Sequence, residues 1–588
     1  MNPDALITLA LVIGVLVLLA STRIAADIIL MAALAVLVIS GILTPTEALA
    51  GFANTGVMTI ATLYVVAASL EETGAVQYIA RYLLGQPASI RQAQARILAP
   101  TAALSAFMNN TAVVAMLIPA VQDWSKSIHV SASKLLLPLS YAAILGGTLT
   151  LIGTSTNLVV DGLLQSQLGI HLGMFEIASV GIPVLLVGGG FLLLFADQLL
   201  PARQGIKDQL DQAREYAVEV DIAPGSPLAG KSIAQAGLRG LTYTYLAEIV
   251  RQEQRLRAVA PDTQLRTGDR LCFIGAAEGA NELRRIQGLQ PARDAVQKLN
   301  LAARHRHLVE AVVGPDFPAL ERTIRDGQFR TRYQAVILAV SRGGTRLPGK
   351  LGDIRLQVGD TLLLEAGQSF VEQYRYRKDF LLVSLLDDSS APDFRKAPWS
   401  LTMLAAMVVA SASGLVSILE AAFLAAGGLL ATRCISASKA RRAIDLSVLV
   451  VIAASFALGT AMTKTGAAQG LAGLMLGGAG LSPWLALALV YLLTSLFTEF
   501  ITNNAAAVLM FPVALALATQ LGVSPLPYAI TIMFAASASF MTPIGYQTNL
   551  MVMGPGGYQF TDYLRLGLPL NILVGITTVG IIPLFWSF

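Results

Sequence analysis

Charged side chains are scarce in this sequence. Only 13% of its 588 residues are Asp, Glu, Lys or Arg, whereas 55% are hydrophobic. Soluble proteins carry about 25% charged residues, so a soluble globular fold is excluded for most of the chain. The mean hydropathy of +0.64 is typical of a protein that crosses a membrane several times.

Cysteine and histidine are also rare. Cys272 and Cys434 provide neither a disulfide framework nor a metal-binding spacing, and we interpret them as free thiols. The four histidines have no ligand spacing, so a transition-metal centre is disfavoured. No nucleophile–base pattern accompanies the apolar segments, so we do not expect an enzyme. No basic stripe interleaved with aromatics indicates a nucleic-acid partner.

Long apolar runs dominate instead. Each approaches the roughly 20 residues that cross about 30 Å of hydrocarbon. The first run lacks a basic N-terminal region and an evident cleavage site, so we expect a retained span and not a signal peptide. The predicted spans are 4–21, 24–43, 54–70, 176–199, 398–413, 414–431, 446–462, 482–497 and 567–587.

Between Gln198 and Trp399 the apolar runs stop and the sequence repeats itself. PGSPLAGKSI at 224–233 returns as PDFPALERTI at 315–324, and LRTGDRLCF returns 91 residues later as LQVGDTLLL. Each copy predicts a short strand, a turn with proline, a helix, two more strands, and a strand after Gly-Asp.

These two copies resemble the TrkA-C-type domain, the ligand-sensing half of regulator-of-K⁺-conductance modules. The SPLAGKSI…GDRL pattern carries the resemblance, which implies two small α/β domains at 210–295 and 300–380 with an unknown small ligand. No GxGxxG fingerprint precedes either copy, so the NAD-binding half is not expected.

The apolar halves, 1–200 and 397–588, carry one polar motif twice. SAFMNNTAVVAMLIP begins at Ser105, and TEFITNNAAAVLMFP begins at Thr498. A second phrase follows each: GGTLTLIGTSTNLVV, then SFMTPIGYQTNLMVM. The copies stay 392 or 393 positions apart throughout. This constant register predicts a duplicated structure.

Polar breaks inside a bilayer are costly because freed backbone groups need other partners. Two copies of such a break predict helix ends that meet near the membrane midplane and bind ions there. Hydrogen-bonded helix packing is the alternative for a single motif. Oxygen ligands without Cys or His favour hard cations. The predicted cation ligands are Ser105, Asn109, Asn110, Gly153, Thr498, Ile501, Thr502, Asn503 and Gly545.

At these residues the chain resembles the divalent anion/sodium symporter family. Its members carry Ser-Asn-Thr at the tips of two re-entrant hairpins and a Gly-Thr-x-x-Asn break in the helix after each. The tips here read Asn-Asn-Thr at 109–111 and Thr-Asn-Asn at 502–504, so both keep the middle asparagine. Glu499, beside the second tip, is interpreted as a structural hydrogen-bonding group.

The resemblance implies a polytopic α-helical membrane protein built from two inverted repeats with re-entrant hairpins and broken helices. It also implies a homodimer with an elevator-type mechanism. A fixed scaffold would include 24–70 and 414–462, and the moving transport domain would hold the hairpins and broken helices.

The first break reads Gly-Thr-Ser-Thr-Asn from Gly153, which looks like the sulfate-transporting branch of the family. Three hydroxyls suit a compact tetrahedral dianion. Neither motif contains Arg or Lys, so bound Na⁺ and helix ends must offset the anion's charge. The predicted anion-binding residues are Asn110, Thr111, Thr154, Ser155, Thr156, Asn503, Asn504, Gln547 and Thr548.

We therefore expect sodium-coupled uptake of sulfate, with Na⁺ at two or more sites, across a bacterial inner membrane. The insert 201–396 is expected to be cytoplasmic, as are the basic loops around Arg91 and Lys439. A sodium/dicarboxylate symporter is the main alternative, followed by an arsenite or cation/proton antiporter. A channel is disfavoured because no TVGYG-type filter occurs.

Overall fold

The computed structural model divides the chain into two compact units. Met1–Arg203 and Ser390–Phe588 form the first unit, and Gln204–Ser389 forms the second. The described residues are 2–22, 24–76, 84–203, 217–238, 241, 244–251, 254–257, 262–275, 283, 286–291, 307–343, 345–347, 351–366, 369–374, 377, 379–385, 394–476 and 481–588.

The N-terminal half of the first unit is helical. A capping box starts the short helix Pro45–Leu49, because Thr44 Oγ1 accepts from Glu47 N and the Glu47 carboxylate accepts from Thr44 N (3.3 and 2.8 Å). A 3₁₀ turn, Ala50–Ala53, then joins it to the long helix Thr55–Glu72. The helices are α1 (Pro3–Ser21), α2 (Ala26–Ile39), α3 (Pro45–Leu49), α4 (Thr55–Glu72), α5 (Ile90–Ser105), α6 (Asn110–Ser127), α7 (Leu136–Gly147), α8 (Ser155–Leu168) and α9 (Ala178–Leu199).

The second unit contains two antiparallel sheets of five strands each. The strands are β1 (Ala217–Ile222), β2 (Thr244–Arg251), β3 (Gln254–Arg257), β4 (Arg270–Gly275), β5 (Leu289–Pro291), β6 (His307–Val313), β7 (Ala335–Arg342), β8 (Thr345–Arg346), β9 (Thr361–Ala366) and β10 (Phe380–Leu385). The strand orders, β3-β2-β4-β1-β5 and β10-β6-β9-β7-β8, are one topology read from opposite edges.

A buried ion pair recurs in the two sheets. Arg251 donates to both carboxylate oxygens of Asp269 (2.7 and 2.6 Å), and Arg342 does the same to Asp360 (2.7 Å each). The glycine before each aspartate has φ +83°, the left-handed conformation that this tight turn requires. The Gly-Asp pattern therefore marks the turn that it predicts.

The short helix that the sequence predicts after the proline turn lies at Phe329–Tyr333 in the second copy, and its counterpart in the first copy falls largely outside the described residues. Residues 224–238 form turns, because Gly225, Gly230 and Gly237 adopt left-handed φ values of +78°, +85° and +71°. The short described helices of this unit are α10 (Phe329–Tyr333) and α11 (Ser369–Tyr374).

The C-terminal half of the first unit repeats the element order of the N-terminal half. Its helices are α12 (Ala397–Ala412), α13 (Ile418–Ala431), α14 (Ala437–Ala443), α15 (Leu446–Lys464), α16 (Ala467–Leu476), α17 (Pro483–Thr498), α18 (Asn503–Leu521), α19 (Leu526–Ser537), α20 (Gln547–Gly556) and α21 (Phe560–Phe585). In each half, a long apolar helix (α4, α15) precedes a helical hairpin (α5–α6, α17–α18), a broken helix (α7–α8, α19–α20) and a long final helix (α9, α21).

Helix ends differ from some predicted runs. The last helix begins at Phe560, well before the predicted 567, because Gln559 and Asp562 form a capping box (2.8 Å from Gln559 N to Asp562 Oδ2). Five helical segments within the described residues are long and apolar enough to cross a bilayer: Pro45–Glu72, Ala178–Leu199, Leu446–Lys464, Asn503–Leu521 and Phe560–Phe585.

The helices of the first unit pack in two groups. In one, α2 packs on α15 and α4 packs on α13. Two ion pairs support this group, Glu47 with Lys464 (2.7 Å) and Glu72 with Lys439 (2.5 Å). In the other, the hairpins and broken helices pack on each other: α5 on α7, α17 on α19, α18 on α8, and α20 on α6 and α7. This second group brings the two polar motifs together.

Candidate functional site

The first hairpin turns between Ser105 and Asn110, in the middle of a buried helical layer. Asn109 caps α6, and its Oδ1 accepts a hydrogen bond from Thr111 N at 2.9 Å. Asn and Thr side chains at this tip replace hydrogen bonds that the turn removes from the helix.

The Asn110 side chain lies among oxygen atoms and is 1% exposed. All its partners are satisfied when its nitrogen faces Ser105 Oγ (2.5 Å) and the carbonyls of Ala143 and Gly153 (3.1 and 3.2 Å). Its oxygen then accepts from Tyr546 Oη at 2.7 Å. Rotating the amide by 180° would exchange nitrogen for oxygen. Asn110 Oδ1 would then lie beside Ser105 Oγ and the carbonyls of Ala143 and Gly153. These four oxygens suit a hard cation, so the predicted ligands around Asn110 fit Na⁺.

The second hairpin tip repeats this arrangement. Thr498 Oγ1 donates to Asn503 Oδ1 (3.0 Å), as Ser105 lies against Asn110, and it also contacts the Ala536 carbonyl (2.8 Å). Thr502 caps α18 through the Ala505 N–H at 3.4 Å. Ile501, also predicted as a cation ligand, is buried beside this turn.

Asparagine side chains stabilise both helix breaks. Asn157 Nδ2 donates to the carbonyls of Gly147 and Thr150 (3.3 and 3.0 Å), and Asn549 Nδ2 donates to those of Ser539 and Thr542 (2.9 and 3.1 Å). These bonds satisfy carbonyls that the broken helices leave free. A Cβ at Gly153 would lie 2.5 Å from Gly147 O, so the first break closes tightly only with glycine there.

Each hairpin tip contacts the broken helix of the other half. Thr111 Oγ1 donates to Gln547 Oε1 at 3.4 Å. Asn504 Oδ1 accepts from Ser155 Oγ and Thr156 Oγ1 at 3.1 and 3.4 Å. These contacts bring the N-terminal ends of α6, α8, α18 and α20 to one place.

The starts of the two broken helices also meet. Thr154 Oγ1 and Tyr546 Oη are 3.5 Å apart, and these residues precede α8 and α20. Neither caps its helix through its own side chain. The first N–H groups of α8 and α20 therefore remain available to another acceptor.

Thr548 is placed differently from the other predicted anion ligands. It is fully buried, and its Oγ1 lies 2.8 Å from Ser140 Oγ, within hydrogen-bond distance. Ser140 also donates to Asn549 Oδ1 at 2.8 Å. Thr548 thus contributes to the packing of α20 on α7, and Gln547 lies at the exposed end of the same helix.

Tyr546 is the residue at this site that the sequence analysis misses. Its hydroxyl contacts Asn110 and Thr154, which belong to the other half of the chain. A local signal exists, because Tyr546 directly follows Gly545 where the first copy has Thr154 after Gly153.

A cleft reaches the first tip from the side of α4. Its volume is about 420 Å³, open space included. Tyr64 on α4, Phe107 and Asn109 at the tip, and Ser155 on α8 line it. The cleft therefore exposes two predicted ligands, one for the cation and one for the anion.

No lysine or arginine of the described residues takes part in the contacts between tips and breaks. The partners there are hydroxyls, amides and carbonyls. Four helix N-termini, each with a partial positive charge, are the fixed positive elements of this cluster.

The chain matches the sequence pattern of citrate transporters over residues 16–533 and 500–588. It belongs to the citrate transporter family. This family lies within the divalent anion/Na⁺ symporter superfamily, and together with the apolar helices it identifies the chain as a polytopic membrane protein of a transporter family.

Relatives within this family cover nearly the whole chain. A Chlamydomonas reinhardtii protein whose name refers to sulfur deprivation response regulation is 37% identical, over 96% of this chain and 98% of its own length. An uncharacterized transporter of Synechocystis is 33% identical, over 99% and 97%. Sodium/sulfate cotransporter 1 of Chlamydomonas reinhardtii is 27% identical, over 90% and 84%.

Proposed function

We propose that this protein couples the uptake of sulfate to Na⁺. The observation that carries the proposal is the convergence of four helix N-termini on hydroxyl and amide groups, without a lysine or arginine among the described contacts. Helix N-termini favour anions, but a dianion in a bilayer still needs countercharge. Co-bound Na⁺ supplies it, and this makes transport of the two species mutually dependent.

The cations occupy the two hairpin tips in this proposal. Ser105, Asn109, Asn110 and Gly153 hold one Na⁺, and the second copy holds another. The support is the matched geometry: Ser105 and Thr498 lie 2.5 and 3.0 Å from the side-chain amides of Asn110 and Asn503. The second set of ligands is Thr498, Ile501, Thr502, Asn503 and Gly545.

The anion lies between the tips, at the starts of α8 and α20. Thr154, Ser155 and Thr156 offer hydroxyls and N–H groups there, and Asn110, Thr111, Asn503, Asn504, Gln547 and Thr548 complete the proposed shell. Sulfate suits a site of many short donors, because its four oxygens point in different directions. The sodium/sulfate cotransporters among the relatives support this choice.

A di- or tricarboxylate is the second candidate, and the family description, citrate transporter, favours it. Substitution of Ser155 and Thr156 by proline tests the sulfate candidate. These are the first two residues of α8, where proline is tolerated. We expect sulfate uptake to fall much more than protein yield, since hydroxyls and N–H groups are lost together.

The wider mechanism follows the resemblance. We propose a homodimer in a bacterial inner membrane, with inverted repeats, an elevator movement of the hairpin group against the α2–α4–α13–α15 group, and TrkA-C-like cytoplasmic domains that bind a small ligand. The Glu72–Lys439 pair supports the orientation, because it places the basic segment at 437–443 on the same side as the end of α4, which leads towards Arg91.

Uptake of labelled sulfate into proteoliposomes tests the proposal. We expect uptake with a Na⁺ gradient and almost none when choline replaces Na⁺ at fixed pH, with competition by thiosulfate and not by succinate or citrate. Uptake that ignores Na⁺ would refute the coupling, and competition by the carboxylates alone would refute the sulfate assignment.

A further inference from the structure

A buried carboxylate oxygen without a partner lies behind the second hairpin tip. Glu499 is 4% exposed, and its Oε1 accepts a hydrogen bond from Met541 N at 3.0 Å. Its Oε2 is buried and has no hydrogen-bond partner within the described residues. The structural role that the sequence predicts for Glu499 therefore accounts for one of its two oxygens.

The hydroxyls of Ser539 and Thr542 lie on the same side of Gly545 as Glu499 Oε2. A Cβ atom on Gly545 would collide with Ser539 Oγ and would lie 2.8 Å from Glu499 Oε2 and 3.0 Å from Thr542 Oγ1. Ser539 is fully buried, and its Oγ likewise lacks a partner in the described part of the chain. Three oxygens thus lie close together on one side of Gly545, all within 3.0 Å of the position that a Cβ of residue 545 would take.

The oxygens of Glu499, Ser539 and Thr542 form what we call the cradle. The first copy of the motif shows that this cradle is not needed to break the helix. The counterparts of Glu499 and Ser539 there are Ala106 and Gly147. The space beside Gly153 is filled by Gly147 backbone, whose O and Cα would lie 2.5 and 2.9 Å from a Cβ. The carboxylate and the serine are therefore features of the second copy alone.

A buried carboxylate is costly unless a positive charge accompanies it, and the cost applies at membrane depth as well. No ion pair to Glu499 occurs among the described residues. Hydroxyl and carboxylate oxygens are the ligands that hard cations prefer. A small cation in the cradle would bind the two unpartnered oxygens and neutralise the carboxylate at once.

We propose that Glu499 Oε2, Ser539 Oγ and Thr542 Oγ1 form a third cation site, for Na⁺, separate from the sites at the two hairpin tips. The site rests on the proposed function, to which it adds one coupling ion. Because the carboxylate carries a full charge, this site binds Na⁺ by a stronger attraction than the amide and carbonyl dipoles of the tips provide.

Sodium titration of the purified full-length protein tests the site without any sulfate. Na⁺ replaces choline at constant ionic strength, and the unfolding temperature reports binding, because a ligand of the folded state raises it. Glu499→Gln keeps the shape and removes the charge, and Ser539→Ala removes one ligand. Asp161→Asn and Ser537→Ala are matched controls, since Asp161 is a largely buried carboxylate with its own partner and Ser537 is a buried serine with an unpartnered hydroxyl.

We expect Glu499→Gln to raise the Na⁺ concentration at half-effect by about tenfold or more, which is ~1.4 kcal/mol. Ser539→Ala should raise it by a smaller factor, and both controls should match the wild type. An unchanged midpoint in Glu499→Gln, or an equal shift in Asp161→Asn, would overturn the proposal.

A variant that does not fold leaves the proposal testable. If Glu499→Gln fails to fold, equal midpoints for Ser539→Ala and Ser537→Ala overturn the site. A wild type that shows no response to Na⁺ also overturns it. If sulfate uptake fails and the Na⁺ titration gives the expected shifts, sulfate is not the substrate and the third cation site still stands.

Discussion

Replacement of Asn110 by alanine tests the first hairpin tip most directly. The amide lies 2.5 Å from Ser105 Oγ, 3.1 and 3.2 Å from the carbonyls of Ala143 and Gly153, and 2.7 Å from Tyr546 Oη. Alanine removes the amide oxygen that can turn towards Ser105 Oγ and the two carbonyls. The proposed cation site keeps its carbonyls and loses its amide ligand.

The expected size of the effect follows from the value of one polar contact to a charge. A hydrogen bond to a charged group contributes about 1.5–3 kcal/mol. If loss of the amide oxygen from Na⁺ is of this order, the affinity for Na⁺ falls about 10- to 150-fold. Sulfate uptake at low Na⁺ should fall by a similar factor, and high Na⁺ should restore part of it.

The assay is sulfate uptake by proteoliposomes over a series of Na⁺ concentrations, with Asn571→Ala as the matched control. Asn571 is 6% exposed and also makes two polar contacts, to Ala538 O (2.9 Å) and Ser495 Oγ (3.2 Å), and neither partner is a predicted cation ligand. We expect the control to lose stability and keep its Na⁺ dependence. Equal Na⁺ midpoints for Asn110→Ala and the wild type, or equal shifts in the two variants, would refute the assignment.

Two further predictions concern other contacts. Asp360→Asn should destabilise the second sheet by about 3 kcal/mol, because it breaks the pair with Arg342. This value is the low end for a broken buried pair, since Arg342 is 35% exposed. Faster hydrogen exchange in β7 and β9 would show the loss of stability. Asp353→Asn, from an exposed pair, is the control and should cost less than about 1 kcal/mol. Tyr546→Phe should shift the Na⁺ midpoint less than Asn110→Ala. The tyrosine hydroxyl can donate to or accept from the Asn110 amide, so it favours neither orientation of that amide. An equal or larger shift would contradict this prediction.

The positions of the hairpin tips and helix breaks could be predicted from the sequence because they depend on local polarity. Asn109 and Thr502 cap the helices that follow the two turns. A helix start needs such a polar cap, and a polar residue inside an apolar run is easily recognised in the sequence. The membrane class could also be predicted, because a chain that is mostly apolar and poor in charged residues is suited to a lipid environment. The family confirms the prediction of a membrane transporter.

Contacts across the two halves could not be predicted. Asn110 and Tyr546 are 436 positions apart, and so are Thr111 and Gln547. No local pattern states that a tyrosine after Gly545 will complete the first tip. The short helix predicted in the soluble repeat is present in the second copy, at Phe329–Tyr333, after the turns that follow β6. Its counterpart in the first copy, 238–242, lies largely outside the described residues.

The duplication gives the proposed site a way to combine cation and anion binding without a fixed positive side chain among the described contacts. Each half supplies one tip and one break, and the tip of each half meets the break of the other. A change at Asn504 therefore acts on Ser155 and Thr156 directly. In the proposed mechanism, binding of Na⁺ at one tip orders the residues that face the anion from both halves. The proposed coupling of the two ions then follows from shared ligands, and it requires no contact over a longer distance.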